Sequence, residues 1–386
     1  MELLTKFDFK DYDEFVLNHP FGSILQSSYW AKVKQDDWYP HFLLFKDNGE
    51  VVSASLLLER KTGKFTSLFY CPRGFVLDYN NEDLLKEVIT LSKKYVKENK
   101  GFLLRFDPEI PLHIFDASKD LIKDNQSYFD LLSKYAHSTG LSKEMDSSTQ
   151  PRFQMVVDLR NDVDLLSKVK SKKRRLVKES YLQARGFEII EDTSLEGVKE
   201  FARLSRLTEL RQGVALRNQH YFENMYETFK ESGYIKLFFA KLDIDQLIAY
   251  NQTLENSTEE IERLTKYKEE HGNTVYTNGI ICIYGTPMVQ MFYGASDESF
   301  SKYKPGYALH FHGIKHAQEN KYDYFNLGGV QGTLDDGLYR FKSEFEPDIY
   351  EYVGDFDIII NQALYKAFTK GLPMLKSIKR KVRNRG

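Results

Sequence analysis

The sequence predicts an α/β protein of the α+β kind, composed of two similar domains that each contain a mixed sheet flanked by helices. Its 386 residues exceed what one hydrophobic core usually supports, so two cores are expected. Hydrophobic residues make up 41% of the chain and aromatic residues 14%, which is ample material for buried sheets. A strand, helix and strand also follow one another twice in the same order, which indicates a duplicated domain.

The two copies share a Glu-Asn-Lys triplet at the end of the helix, at residues 98–100 and 319–321, which are 221 positions apart. In the first copy a strand ending at Tyr70 and Cys71 precedes the helix, and a strand over residues 102–108 follows it. In the second copy the corresponding strands are expected at residues 288–293 and 322–329. The matching order predicts the same local fold twice.

Three further elements are predicted in the first half of the chain. A short helix follows Ser27 and runs through Lys34. Asp47-Asn48-Gly49 separates two apolar runs and is a strong hairpin signal. Apolar residues at helical spacing predict an amphipathic helix over residues 81–99.

The boundary between the predicted domains falls at Thr149-Gln150-Pro151, where a polar stretch meets a proline. The first domain is predicted to comprise residues 1–150 plus 354–386, and the second residues 151–353. A charged helical pattern over about residues 254–272 interrupts the second domain, with Ser257 and Glu260 as a capping box. This insertion is either a short projecting arm that binds a partner or a solvated helix packed on its own domain.

Lysine plus arginine (54) nearly balances aspartate plus glutamate (56), so the overall charge favours no class of partner. One basic cluster lies at residues 168–175, where Lys170, Lys173 and Arg174 either contact RNA phosphates or form a solvated face. Another extends from Lys366 to Arg385 without an acidic residue. This amphipathic tail either lies on anionic lipid headgroups or is a frayed end.

Cys71 and Cys282 each adjoin an apolar run, which is typical of buried free thiols in a reducing compartment. The N-terminus lacks a basic region followed by an apolar stretch, and no run has the length needed to span a bilayer. We therefore expect a cytoplasmic protein, which is peripheral at the inner face of the membrane in the alternative in which its tail binds lipid.

Classical catalytic and cofactor signatures such as the P-loop, GxGxxG, GxSxG and HExxH do not occur. His310, His312 and His316 lie in one predicted helix without carboxylate or cysteine companions at a recognisable spacing, so no metal site is expected. Gly328-Gly329 at a strand end precedes an acidic loop and Phe341-Lys342. This segment is either a functional loop or an ordinary turn and short helix.

Eight short motifs occur in order along nearly the whole chain. They are QSSYWAKVK (26–34), LRFDPE (104–109), QPRF (150–153), YGAS (293–296), YKP (303–305), LGG (327–329), FKSEF (341–345) and YVGDFD (352–357). As an ordered set they resemble the FemABX family of peptidoglycan-bridge peptidyltransferases.

The resemblance implies two acetyltransferase-like (GNAT-type) domains related by duplication, the first of which binds the precursor, with the insertion as a truncated form of a longer helical hairpin. It also implies transfer of an aminoacyl group from aminoacyl-tRNA to the side-chain amine of the third stem-peptide residue, or to an amino acid already added there. No metal or nucleotide cofactor is implied. The donor ester is already activated, so catalysis chiefly requires alignment and stabilisation of an oxyanion.

Carried over residue by residue, the resemblance assigns catalytic roles to Lys342, Phe341 and Asp107. Lys342 would stabilise the oxyanion or orient the terminal ribose, and Phe341 would pack against the 3′-terminal adenosine. Asp107 would pair with the acceptor ammonium or receive its proton, unless it only caps the turn before Pro108. Binding of the precursor's phosphates and sugar is implied for Lys34, Arg217, Tyr221 and Tyr293.

The acceptor is expected to be lipid II because of the basic tail, and the alternative is the soluble UDP-MurNAc-pentapeptide. A tRNA-binding module of the same fold without catalysis is a further alternative. An acetyl-coenzyme A-dependent acyltransferase is disfavoured because Lys304-Pro305-Gly306 stands where that cofactor's phosphate loop is expected. Pocket shape selects among glycine, alanine and serine as the transferred amino acid.

Overall fold

The computed structural model of the protein describes residues 1–212 and 216–369. The strands are β1 (Glu2–Leu4), β2 (Tyr39–Asp47), β3 (Glu50–Gly63), β4 (Thr66–Cys71), β5 (Val76–Leu77), β6 (Gly101–Phe106), β7 (Pro111–Phe115), β8 (Leu121–Asp124), β9 (His137–Ser138), β10 (Phe153–Asp158), β11 (Phe187–Glu191), β12 (Ile235–Asp243), β13 (Thr274–Tyr284), β14 (Met288–Ser296), β15 (Tyr324–Val330), β16 (Asp348–Tyr352) and β17 (Phe356–Ile359). The helices are α1 (Phe9–Asn18), α2 (Ser28–Lys34), α3 (Glu82–Glu98), α4 (Gln126–Tyr135), α5 (Glu179–Gln183), α6 (Leu195–Gln212), α7 (Gln219–Phe229), α8 (Ile244–Gln252), α9 (Thr258–His271), α10 (Pro305–Glu319) and α11 (Gly337–Lys342).

The chain forms two compact units. The first unit contains Met1–Ile114, Ile122–Arg152 and the chain from Glu351 onward, and the second contains Phe115–Leu121 and Phe153–Tyr350. Each unit is built on a mixed sheet flanked by helices, so the predicted fold class is confirmed.

The sheet of the first unit has the strand order β1-β2-β3-β4-β6-β17-β9, with β5 paired to β3. The predicted hairpin is confirmed, because Asn48 and Gly49 join β2 to β3 with φ angles of 51° and 89°, the positive values of a type I′ turn. Two helices begin where a side chain caps them. Ser27 accepts a hydrogen bond from the backbone of Trp30 at the start of α2, and Asn81 does the same at the start of α3.

The sheet of the second unit contains β11-β12-β13-β14-β15-β10-β16 in that order. Its core contains fully buried residues from neighbouring strands, with Phe238 from β12, Ile280 from β13 and Phe325 from β15. Helix α10 packs against this sheet through buried Leu309 and Ile314. Its other face carries polar residues, as expected for a helix that covers one side of a sheet.

The predicted internal repeat is present in the strand pairing. In the first unit β4 and β6 are parallel and are connected through α3. In the second unit β14 and β15 are parallel and are connected through α10. Parallel neighbours need such a crossover, so the two matching sequence frames form the same supersecondary unit.

The insertion in the second unit forms α9, which does not project as an arm. Leu264 is fully buried in a cluster with Leu247 of α8, and the Tyr267 hydroxyl donates to Asp297 at 2.7 Å. The predicted capping box is wrong, because the Ser257 hydroxyl donates to Asn251 O and Glu260 binds Arg263 instead. The helix therefore packs on its own unit, which was the alternative interpretation.

Cys71 and Cys282 are both free and fully buried, as predicted. Among residues 1–212 and 216–369, no helix combines the length and apolar composition needed to cross a bilayer. The basic tail from residue 370 to Arg385 lies outside the described residues, so its contact with lipid stays a prediction.

Candidate active site

The side chain of Lys342 is buried against the end of β15. Helix α11 begins after Asp336, whose carboxylate accepts a hydrogen bond from the backbone of Tyr339, and ends at Lys342 itself. The ammonium Nζ donates to the carbonyl of Gly329 at 2.9 Å, and only 5% of the residue is exposed. A cap at one end and a contact with the sheet at the other therefore fix this short helix.

The position of Lys342 coincides with a separation of two strands. The parallel pairing of β14 with β15 covers only three residue pairs, the last of which is Gln290 with Asn326. Farther along, β14 continues beside β13 to Ser296, and β15 continues beside β10 to Val330. Where β14 and β15 separate, their backbone groups no longer pair with each other. The Lys342 ammonium lies at this point, near Gly328 of β15 and the Met291 carbonyl of β14.

Gly328 lies beside the ammonium and needs a backbone conformation that favours glycine. A Cβ at this position would lie 3.5 Å from Lys342 Nζ and 3.4 Å from the carbonyl oxygen of Met291 on the neighbouring strand. Its φ of 84° is in the region that only glycine adopts freely. The Gly-Gly pair therefore has a defined structural role beside the lysine.

Burial lowers the pKa of Lys342 to about 8, and the nearby Asp336 carboxylate opposes the shift. The side chain therefore remains mainly protonated at neutral pH. An ammonium group has three N–H donors, and the Gly329 carbonyl takes one. Lys342 is thus a fixed cation with donor capacity left for an oxygen that gains negative charge.

Phe341 lies in a cluster of rings next to this cation. Its ring centroid is 4.8 Å from that of His310, 5.0 Å from Tyr307 and 5.8 Å from Phe345. His310 Nδ1 lies 2.8 Å from the Gly306 carbonyl, which can only accept, so this nitrogen carries the proton. Burial lowers the pKa of His310 to about 4, and the neighbouring Lys342 charge adds to the effect.

The basic segment of residues 168–175 packs beside the Phe341–Phe345 stretch. The backbone N–H of Lys170 donates to Glu344 O at 3.0 Å, and its ammonium lies 3.4 Å from the Ser343 hydroxyl. Lys173 places its ammonium 5.1 Å from the ring centre of Tyr307. Arg174 instead donates to Val169 O within its own turn. The fold thus brings Lys170 and Lys173 to the surroundings of Lys342.

Arg217, Tyr221 and Tyr293 form a second cluster in the same unit. The Tyr293 hydroxyl donates to the Tyr221 hydroxyl at 3.2 Å, and the Arg217 guanidinium lies 4.7 Å from the Tyr221 ring centre. Tyr293 belongs to β14, two residues beyond Met291, whose carbonyl is near Gly328. Strand β14 therefore borders the surroundings of Lys342 through Met291 and contributes Tyr293 to the second cluster.

Lys34 is the last residue of α2 in the first unit. Its ammonium lies 4.6 Å from the ring centre of Trp30, one helical turn earlier, and its carbonyl accepts a hydrogen bond from the backbone of Trp38 at 3.0 Å. The Trp38 ring is 6.3 Å from that of Tyr70. Lys34 is thus connected through packed aromatic rings to the surroundings of Asp107.

Asp107 is 1% exposed and is held by residues distant in sequence. One carboxylate oxygen accepts hydrogen bonds from the Tyr70 hydroxyl at 3.0 Å and from the Arg73 backbone at 2.9 Å. The other oxygen has no hydrogen-bond partner among the described residues, and Arg73 Nη1 is 3.9 Å away. No described contact makes Asp107 a cap of the turn at Pro108.

Burial raises the pKa of Asp107 to about 7, while the Arg73 charge opposes the shift and Asp355 adds to it. A carboxylate that has one oxygen without a hydrogen-bond partner and a pKa near neutrality is suited to exchanging a proton at physiological pH.

The three histidines of α10 make separate contacts. His312 Nδ1 lies 3.0 Å from Glu179, and His316 Nδ1 lies 2.7 Å from the Tyr284 hydroxyl. Within the described part of the chain, no group of three or more His, Cys, Asp or Glu side chains is arranged to hold a metal ion.

The FemAB family model matches residues 7–249 and 245–370 of this sequence, which together are nearly the whole chain. The chain belongs to the FemAB family.

This FemAB member is 28% identical to a lipid II:glycine glycyltransferase of Staphylococcus aureus, over 97% of the chain and 96% of the relative. Its fold is similar to the crystal structure of FemX, with a TM-score of 0.79 and 26% identity over 95% of this chain and 99% of the other. A tandem GNAT protein from the clavulanic acid pathway has a TM-score of 0.50 at 9% identity, over 92% and 95% of the two chains, which supports the predicted GNAT-like duplication of the fold.

Sequence reasoning missed several residues of this FemAB site. The sequence suggests His310 only as a metal ligand, whereas in the structure it is a partly buried, neutral neighbour of Phe341. Tyr70 and Arg73, which bind Asp107, were not singled out. A signal existed, because Tyr70 lies near the carboxyl end of one strand and Asp107 directly follows the carboxyl end of its parallel neighbour, and such ends meet at one edge of a sheet.

Proposed function

We propose that this FemAB-family chain transfers an amino acid from aminoacyl-tRNA to the stem-peptide lysine amine of lipid II, or to a branch already on that amine. Membership of the family and the likeness to a lipid II:glycine glycyltransferase over nearly the full length of both chains support the proposal. The transfer forms a peptide bond outside the ribosome and contributes to the peptidoglycan bridge.

The observation that carries the proposal is the buried Lys342 cation where β14 and β15 separate. The acceptor amine attacks the ester carbonyl, a C–N bond forms, and the carbonyl oxygen gains negative charge. The carbonyl then re-forms as the C–O bond to the terminal ribose breaks, the leaving ribose oxygen takes up a proton to become a hydroxyl, and the attacking nitrogen loses a proton. We assign Lys342 to the developing oxyanion or the ribose hydroxyl, where a preorganised donor in a water-poor site is most effective.

We assign the donor's 3′ end to the neighbourhood of Lys342. Phe341 offers a ring against which the terminal adenosine can stack. Because His310 is neutral, Lys342 has no second positive charge from this histidine to compete with it. Lys170 and Lys173, with Arg174, would contact phosphates of the CCA end, where each cation adds affinity that falls with salt.

We assign acceptor binding to Lys34, Arg217, Tyr221 and Tyr293. Cationic forks and phenol hydroxyls suit the pyrophosphate and sugar of a precursor. Asp107 would pair with the acceptor ammonium and take its proton.

In this proposal residues 1–150 plus 354–386 form the precursor-binding domain, and residues 151–353 the second domain. The activated ester supplies the driving force, so the reaction requires no metal or nucleotide cofactor.

The proposal is tested with purified full-length protein and tRNA charged in turn with radiolabelled glycine, alanine and serine. We expect label to appear on lipid II at least about tenfold faster than on UDP-MurNAc-pentapeptide. Free amino acid with ATP serves as the control donor and should give no transfer. Preference for the soluble precursor would contradict the lipid II assignment, and no transfer from any charged tRNA to either acceptor would contradict the enzyme assignment.

A further inference from the structure

A ribbon of the first unit extends past the end of its sheet. Strands β3 and β4 pair as far as Gly63 with Thr66, so Lys64 and Phe65 form the turn. On one side β2 begins at Tyr39, opposite Glu59, and on the other β6 begins at Gly101, opposite Ser67. Residues 60–66 therefore have no flanking strand among the described residues, and we call them the ribbon tip.

The ribbon tip is basic and carries an exposed aromatic ring. Residues 60–66 contain Arg60, Lys61 and Lys64 and no acidic residue. Among the described residues none of these three cations is within 4.0 Å of a carboxylate oxygen, although the Lys61 charge helps to lower the pKa of neighbouring Glu59. Phe65 is 66% exposed, and Tyr39 at the neighbouring strand end is 67% exposed. Large aromatic rings so exposed beside unpaired cations mark an interaction surface.

The tip is preorganised. The Thr62 hydroxyl donates to Thr66 O across the ribbon at 3.2 Å, and the two threonine hydroxyls are 3.2 Å apart. The Lys64 ammonium lies 5.4 Å from the ring centre of Phe65. These contacts hold the turn without covering the ring, so little conformational entropy is lost when the tip binds a partner.

We propose that the ribbon tip docks this protein on an anionic lipid bilayer, with Phe65 and Tyr39 at headgroup depth and Arg60, Lys61 and Lys64 among lipid phosphates. Aromatic residues combined with lysine and arginine are the composition that favours the membrane–water interface. A narrow convex tip fits between headgroups. RNA recognition instead uses grooves or flat stacking platforms, which two strands and a tight turn do not provide.

The base of the ribbon is in contact with residues assigned to the acceptor. The Arg60 guanidinium lies 5.7 Å from the ring centre of Trp38, and Trp38 contacts both the Lys34 backbone and the Tyr70 ring. The proposed docking role of the ribbon tip is argued from its exposed aromatic rings and its positive charges. Its use in presenting a lipid-linked acceptor to Lys34 and Asp107 rests on the proposed function.

Sedimentation with vesicles tests the docking. Full-length protein is mixed with phosphatidylcholine vesicles that contain either no phosphatidylglycerol or one third of it. We expect Lys61→Glu with Lys64→Glu to lower partitioning onto the anionic vesicles at least tenfold, because each lysine near such a surface contributes about fivefold. Phe65→Ser should lower it severalfold.

The matched control is Lys93→Glu with Lys97→Glu, which changes the same charge on exposed lysines of α3 in the same unit. Binding by this control should stay within about twofold of the wild type. The proposal is overturned if both pairs reduce binding equally, if removal of residues 370–386 alone abolishes it while the tip variants bind normally, or if the tip variants lose affinity for tRNA and keep it for vesicles.

Transfer assays separate this inference from the proposed function. The tip variants should transfer normally to a water-soluble lipid II analogue with a short prenyl chain, and at least about tenfold more slowly to lipid II in vesicles. Equal slowing on both acceptors would overturn the docking role. A wild type inactive on both acceptors would contradict the proposed function, while the vesicle sedimentation would still decide the docking.

Discussion

Lys342 is protonated at neutral pH although its burial disfavours the charged form. Burial brings its pKa down to about 8, so at pH 7 the protonated form still exceeds the neutral form about tenfold. His310 beside it is neutral at the same pH, because its pKa is lowered to about 4. The proposed donor site therefore combines the Lys342 charge with a neutral ring, which suits an oxyanion and an adenine at the same time.

Asp107 gives a prediction about pH. Its pKa is raised to about 7, so the ionised carboxylate, the proposed proton acceptor, is lost as the pH falls below this value. We expect kcat/KM of the wild type to decline about tenfold per pH unit below 7, beyond the slope from the acceptor amine, which titrates near 10.4 and is common to all variants. Asp107→Asn should remove this extra break, because the amide oxygen can still accept from Tyr70 and Arg73 but cannot titrate.

Asp355→Asn is the matched control for that profile. Asp355 is buried nearby, and its negative charge helps to raise the pKa of Asp107. Removing the charge should move the break to lower pH without abolishing it. If Asp107→Asn keeps the wild-type profile, Asp107 has no role in proton transfer.

At the scale of elements, the site depends on how β14 and β15 separate and on Gly328 between them. Gly328→Ala should lower the free energy of unfolding by about 1–2 kcal/mol, because alanine is strained at positive φ. It should also lower kcat about tenfold, because strain at this position shifts the backbone of the adjacent Gly329, whose carbonyl accepts a hydrogen bond from Lys342 Nζ at 2.9 Å. Urea denaturation and steady-state transfer assays measure the two effects.

Gly272→Ala separates backbone strain beside Lys342 from backbone strain elsewhere in the same unit. Gly272 has a φ of 85°, and a Cβ there would meet nothing within 4 Å. We expect a similar loss of stability with unchanged kcat. An equal drop of kcat in both variants would show that backbone strain alone, rather than the place of Lys342, accounts for the effect.

Local signals predicted elements better than they predicted contacts. The turn at Asn48-Gly49 and the helices α2 and α3 depend on signals within a few residues, and the sequence predicted all three, whereas the caps Ser27 and Asn81 come from the structure. The capping box of α9 failed because Glu260 is recruited by Arg263 and Tyr303. Arg263 lies three residues along the same helix, whereas Tyr303 is a tertiary partner 43 positions away that overrides the local motif without a sequence signature.

At the scale of the whole molecule, the internal sequence repeat was sufficient to predict the duplicated fold. Two parallel strand pairs joined through α3 and α10 follow from a Glu-Asn-Lys triplet in matching frames. The surroundings of the candidate site could not be predicted from the sequence, because they consist of residues that are far apart in the chain. Lys170 meets Ser343 across 173 positions, and no periodicity records that meeting. The family resemblance implied which residues form the site, and the structure shows which other residues contact them.

The measurement that tests the account most directly is single-turnover transfer from aminoacyl-tRNA to lipid II by the wild type and by Lys342→Met. Methionine keeps most of the buried stem of Lys342 and removes its charge. We expect transfer to slow about 100- to 1000-fold, the usual effect of losing an oxyanion donor, with acceptor affinity changed less than about threefold. Lys315→Met, at an exposed lysine of α10, should transfer like the wild type. A Lys342→Met enzyme that transfers at the wild-type rate would contradict the central claim.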